Sequence, residues 1–320
     1  MQQRRVPVID PARPGTTELS DKAVLRHLSA HGFDLAVQPG IGGRIVSLKF
    51  EGLDILYPDA RPDLMRIFDA GCFPLVPFSN RIRGSKFEFA GCTHVLKRNW
   101  DGDDHAIHGE GWTSAWTVTH QDDTSIGMWM AGAGWWPWAY ECSQLIRLMP
   151  GRVSLSLNVT NLDTSAMAVG LGFHPYFPKD DHTELQFNAA GMIQPMNHGP
   201  LQVKPLTPDT DFSQDTAVRL RNLDHGYAGW DGVAKIRQPD EGLRITVRTN
   251  TSPAGAVVYI PPDAPFFCFE PVSQINGAFE MDQTVETGLR ALEPGESLEF
   301  SVAIDVEMRP GAPDRKDRSA

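Results

Sequence analysis

Cysteine is scarce in this chain. Its 320 residues carry four, Cys72, Cys92, Cys142 and Cys268. None is spaced as C-x-x-C, and each sits among apolar or small residues. Such thiols point to a reducing compartment rather than a disulfide-stapled secreted scaffold. Basic charge is also short. Forty acidic residues stand against 29 lysines and arginines, a net charge of −11. A diffusely acidic surface repels phosphate backbones, so nucleic acid is not an expected partner. One small phosphate could still bind at a local arginine cluster. No apolar run reaches the length of a membrane span. The start, Met1 to Pro7, has charges but no apolar stretch after them, so neither a signal peptide nor a membrane partner is expected. No glycine-rich fingerprint for a dinucleotide or a phosphate loop occurs. These absences fit a cytoplasmic enzyme or binding protein.

Long helical patterns are missing too. The 29 glycines and 25 prolines punctuate the chain too often. Asp21 to His31 is the one plausible helix, and its apolar spacing is irregular. Strand patterns dominate. Val153, Leu155, Leu157 and Val159 alternate with Ser154, Ser156, Asn158 and Thr160, so one face is buried and one is polar. Leu298, Phe300, Val302, Ile304 and Val306 repeat the pattern, as do Leu243, Ile245 and Val247. Turn formers separate them, among them Pro39-Gly40, Gly42-Gly43, Glu241-Gly242 and Pro294-Gly295. Many short strands with frequent turns predict an all-β sandwich or barrel of antiparallel sheets. Its concave face would suit an extended polar ligand such as a sugar. No linker or internal repeat divides the chain. The expected organisation is a flexible leader over 1–15, one β-sandwich domain over 16–308 and a disordered tail over 309–320.

Five segments carry groups capable of chemistry. Ser79-Asn80-Arg81 lies between prolines and Gly84. An arginine fork there could hold two oxygens of a polyol or carboxylate, or simply pair with a surface acid. Asp103-Asp104-His105-Ala106-Ile107-His108-Gly109-Glu110 places two histidines three apart. A metal reading would use His105, His108 and Glu110. On a strand, however, residues three apart face opposite sides, and no third ligand of suitable spacing is evident. Trp100 and Trp112 suggest instead an indole on which a sugar face could pack. His174 lies in the apolar run Leu171 to Pro178. A histidine can give or take a proton near neutrality, though one between aromatics is often only structural. Asp224-His225-Gly226-Tyr227 offers a carboxylate beside a flexible turn; turn capping is its bland alternative. Glu270 is the only charge between Phe266 and Ser273. Desolvation there would raise its pKa and make it a better base. A further cluster, Trp129, Trp135, Trp136 and Trp138, reads as packed core edge or oligomer contact.

Taken in order, Asn80-Arg81-Ile82, His108-Gly109, His174-Pro175-Tyr176-Phe177, Asp224-His225-Gly226-Tyr227 and Glu270 resemble the aldose 1-epimerase (galactose mutarotase) family. The turn Gly42-Gly43-Arg44-Ile45 adds to the likeness, which spans about residues 35 to 305. The resemblance implies a large antiparallel β-sandwich of the galactose mutarotase-like kind. It implies His174 as general acid and Glu270 as general base. It implies that Asn80, Arg81, His108 and Asp224 bind a small aldose. One carboxylate and one imidazole suffice for that chemistry, so no metal and no cofactor are expected, and the expected state is a monomer or homodimer. Glu110 stands where the family often has a second glycine, and Pro178 where it often has a polar residue. Both departures bear on substrate identity more than on reaction class.

Two alternatives accompany this reading. A hexose-6-phosphate epimerase of the same fold would draw on Arg81, Arg83, Lys86, Lys97 and Arg98. A sugar-binding protein without turnover would not need both His174 and Glu270.

Overall fold

The computed structural model describes residues 24–60, 70–194, 201–249, 254–281 and 285–308. The expected leader over 1–15 and tail over 309–320 lie outside them. Among the described residues there is no α-helix, only two 3-10 turns, Arg83–Ser85 and Val218–Leu220. None is long and apolar enough to cross a membrane.

Two antiparallel sheets face each other. The nine-stranded sheet runs in the order Thr117–Gln121, Ser125–Ala131, Tyr140–Met149, Arg152–Asn161, Ser297–Met308, Leu243–Thr249, Val233–Gln238, Glu184–Phe187 and Thr216–Ala217. Alternation dictates which way its side chains point. Val153, Leu155, Leu157 and Val159 are wholly buried, and Phe300, Val302 and Ile304 on the next strand are at most 2% exposed. The eleven-stranded sheet has Cys72–Leu75, Gly172–Pro178, Phe266–Val272, Ala254–Ile260 and Leu223–Trp230 as consecutive neighbours at its centre. Phe173, Phe177, Phe267 and Phe269 point from these strands into the core between the sheets. Phe173 meets Phe300 of the opposite sheet at 6.3 Å between ring centres.

The other face of the central strands carries a second apolar cluster. It includes Phe73, Tyr176, Phe266 and Cys268, covered by Ile107 and Trp112. These strands are therefore apolar on both faces, which is why they read as continuous runs rather than alternations.

The expected helix from Asp21 is not formed where the chain is described. Arg26–Ala30 is instead an edge strand paired with Phe33–Gln38, with Ala30 opposite Phe33. The two residues between, His31 and Gly32, have φ of 54° and 80°. Two left-handed residues make the tight hairpin turn that fits the twist of paired strands. Leu28 alone needs deep burial, at 3% exposure, so no helical face has to be satisfied. Trp136 and Trp138 are core residues at 1% and 6% exposure, packed with Phe78, Phe87 and Phe279. Trp129, by contrast, is exposed. All four cysteines are free thiols, three of them buried.

Candidate active site

Strand register brings the two proton-transfer candidates together. The pairs Gly172–Val272 and Tyr176–Cys268 put position 174 directly across from position 270. Residues paired across a sheet share a face, so both side chains rise from the second face, amid its apolar cluster. His174 Nε2 lies 3.2 Å from Glu270 Oε1, with side chains 8% and 3% exposed. Phe73 stacks on His174 at 4.5 Å between ring centres, and Tyr176 at 4.8 Å. No acceptable hydrogen bond reaches Glu270 Oε2 or His174 Nδ1. The carbonyl of His174 itself is still felt electrostatically.

This setting favours uncharged groups. Burial pushes the Glu270 carboxyl well above the usual carboxylate range; Asp224 adds to the effect and Arg81 opposes it. Burial likewise takes His174 down to about 3, its own carbonyl opposing and Arg81 assisting. Burial thus disfavours both the imidazolium and the carboxylate, and the 3.2 Å contact couples the two groups into one proton-sharing pair.

His108 belongs to the same group of rings, edge-on to His174 at 5.4 Å between centres. It sits in a left-handed conformation with φ 58°, as does Asn80 with φ 62°. Two backbone links hold these residues. The N–H of Asn80 donates to His108 Nδ1 at 3.2 Å, and the N–H of His108 donates to the Asn80 carbonyl at 2.9 Å. Burial drives the His108 pKa well below its ordinary value, helped by His174 and Arg81. With Nδ1 occupied as acceptor in a neutral ring, the proton is on Nε2, which is left as a donor. The turn that carries His108 is clamped by Asn99, whose amide donates to the carbonyls of Ile107 and Gly109 and accepts from the Ile107 N–H.

Arg81 Nε donates to Asp103 Oδ2 at 2.6 Å, and its Nη1 lies 4.0 Å from Asp224 Oδ2. Burial works against the Arg81 charge, but Asp103, Asp224 and Glu270 outweigh it and keep the guanidinium protonated. Asp224 itself is about half exposed. The side chain of Asn80 is partly engaged, because Oδ1 accepts from the Arg81 N–H at 2.9 Å. Asn80, Arg81, Asp103, Asp224, His225 and Asn276 are among the residues lining a cavity of about 1030 Å³. His174 and Glu270 are not on that lining, but Arg81, whose charge both feel, is.

The structure thus brings His174, Glu270 and His108 together, and sets Asn80, Arg81 and Asp224 on the adjoining cavity. His105 is apart: its Nδ1 accepts from the Gly84 N–H at 3.1 Å, and it lines the cavity without meeting His108. Among the described residues no three His, Cys, Asp or Glu side chains are grouped to hold a metal ion. Trp112 does not offer its face to a sugar. It is 1% exposed, and its indole N–H donates to the Gly109 carbonyl at 2.9 Å. Glu110 braces rather than binds. Its Oε1 accepts from the Tyr140 hydroxyl and its Oε2 from the Ala133 N–H, both at 3.0 Å. Phe73 and Tyr176 flanked the sequence motifs without being singled out. Asn99 carried no signal, because its work is done through folded backbone carbonyls.

Known proteins share this arrangement of chain. The uncharacterized Escherichia coli protein YphB is 34% identical over 250 residues, which cover 75% of this chain and 84% of YphB. A crystal structure from Escherichia coli K12, provisionally named an aldose 1-epimerase, superimposes with a TM-score of 0.82 at 30% identity, covering 89% of this chain and 99% of that one. A galactose mutarotase-like protein from Clostridium acetobutylicum shares the fold, with a TM-score of 0.78 at 18% identity over 88% of this chain and 94% of its own. The family model for aldose 1-epimerase matches residues 28–305, a span that holds every site residue described above. The chain belongs to the aldose 1-epimerase family.

Proposed function

We propose that the protein is an aldose 1-epimerase, interconverting the α and β anomers of a free aldose by acid–base ring opening. The observation that carries this reading is the buried contact between His174 Nε2 and Glu270 Oε1. Ring opening needs two proton transfers. The C1 hydroxyl gives up a proton as the ring oxygen takes one, and the C1–ring oxygen bond breaks to leave a carbonyl. Rotation about C1–C2 then lets the ring close on the other face, with the two roles reversed. One imidazole and one carboxyl suffice, and the proton count is unchanged over the cycle. Imidazolium with carboxylate holds the same single proton as imidazole with carboxylic acid. With the ring oxygen against His174 and the C1 hydroxyl against Glu270, opening starts from imidazolium and carboxylate, reached by passing the shared proton from Glu270 Oε1 to His174 Nε2, and ends at imidazole and carboxylic acid; closure on the other face reverses both transfers. The Nε2–H of His108 and the Arg81 fork supply donors for neighbouring hydroxyls, and Asp224 supplies an acceptor. Asn80 contributes chiefly by holding the His108 turn.

Charge on the cavity supports a neutral sugar over a phosphorylated one. Three carboxylates, Asp103, Asp104 and Asp224, line it against two guanidiniums, Arg81 and Arg83. Both arginines are paired, with Asp103 and Glu280 respectively. Arg98 pairs with Asp104. A dianionic phosphate would have to displace these acids.

The test is polarimetry on freshly dissolved α-aldoses and their 6-phosphates. Faster equilibration of at least one free aldose, and less of its phosphate, is expected. Acceleration of phosphates alone would point to the hexose-6-phosphate reading. Binding without acceleration would leave a sugar-binding protein.

A further inference from the structure

We infer that Asn276 is a substrate-binding residue that reads a sugar hydroxyl on the side of the ring away from C1. The inference rests on the epimerase reading above and extends it to specificity. Asn276 lies six residues beyond Glu270 and lines the same cavity as Arg81 and Asp224. Its Oδ1 is buried and accepts no hydrogen bond. A buried amide oxygen without a donor is costly, and such groups are usually met by a ligand or water.

Two further features say where that oxygen belongs. Register runs Gly226 opposite Val257, Val257 opposite Glu270, and position 174 opposite 270. Gly226, Glu270 and His174 therefore share one row across the sheet. A Cβ on Gly226 would lie 2.6 Å from Asn276 Cγ and 2.8 Å from Nδ2, so the asparagine occupies the space over that glycine. Glu270 and Gly226 are two strands apart, about 10 Å at the usual strand spacing. That is the span of one pyranose with a hydrogen bond at each end. With C1 at Glu270, the far side of the ring falls at Asn276. Swapping Oδ1 and Nδ2 leaves the packing unchanged, so the amide can accept from or donate to a hydroxyl.

The segment that carries Asn276 is rigidly tied to the site. The Ser273 N–H donates to the Leu171 carbonyl at 2.7 Å, and Ser273 Oγ accepts from the Leu171 N–H at 2.8 Å. The Gln274 side chain accepts from the Ser79 N–H at 2.7 Å and donates to the Ser79 carbonyl at 3.2 Å. Asn276 is thus fixed relative to the strands of both His174 and Glu270, as a specificity contact requires.

The test measures anomer exchange on the best free aldose and on its 3-deoxy and 4-deoxy analogues. The enzymes are the wild type, Asn276→Leu, which keeps the shape without polar atoms, and Asn276→Ala. The wild type should prefer the parent sugar over one deoxy analogue by about tenfold or more in kcat/KM. Both variants should lose that preference, chiefly through KM, while treating the other analogue as the wild type does. Equal discrimination in wild type and variants overturns the inference and leaves the epimerase reading standing. A wild type inactive on every aldose overturns both.

Discussion

At residue scale the account turns on one proton shared by His174 and Glu270. The two groups shift in opposite directions because burial penalises each charge. His174 has its folded pKa below its unfolded value, so the pair takes a second proton only toward pH 3. Glu270 has its folded pKa above its unfolded value, so the pair keeps its one proton well past the usual carboxylate range. The one-proton state therefore extends from near pH 3 to beyond the usual carboxylate range. We predict a kcat/KM profile without an acid limb near about 6.5, the ordinary histidine value. The limb should fall well below that value in every buffer. A limb centred near 6.5 would mean that His174 titrates as a solvated histidine. The direction at Glu270 was legible in its flanks, Phe269 and Pro271. The depth of burial was not, because it comes from Phe73, Tyr176 and Trp112, which reach the site from other parts of the chain.

At the scale of elements, the turn from Ile107 to Ser114 does most to shape the site. It holds His108 at positive φ, and Glu110 ties it to Tyr140 of the opposite sheet. A glycine at 110 could not make that tie. Removing the carboxylate in Glu110→Ala strands the buried Tyr140 hydroxyl, a loss of about 1–3 kcal/mol. Thermal melting should show a lower Tm, and the loosened His108 turn should raise KM. Glu110→Gln keeps one acceptor and should lose less of both. An unchanged Tm in the alanine variant would show that the tie contributes nothing. The strands of the nine-stranded sheet were readable from alternation, as at Val153 to Val159, whereas those under the site, apolar on both faces, read only as continuous runs. The hairpin at His31-Gly32 was obscured because the residues before it, from Asp21, alternate poorly. Only the pairing with Phe33–Gln38 decides the state of Arg26–Ala30.

At the scale of the whole molecule, the sheet is what turns scattered motifs into a site. Phe73, His174, Glu270 and Gly226 are far apart in sequence but fall in one row across neighbouring strands. The order of the motifs along the chain pointed to the family. It could not give the row, because register depends on every turn between the strands. Nor could it single out Asn276, whose place is defined by an empty glycine on another strand. The most direct test of the central claim is the rate of anomer exchange, followed by NMR or polarimetry, in the wild type, His174→Ala and Glu270→Ala, with circular dichroism to confirm folding. The account predicts that the wild type accelerates exchange of a free aldose and that each substitution lowers kcat by about 10² or more. Folded variants that retain the wild-type rate would contradict it.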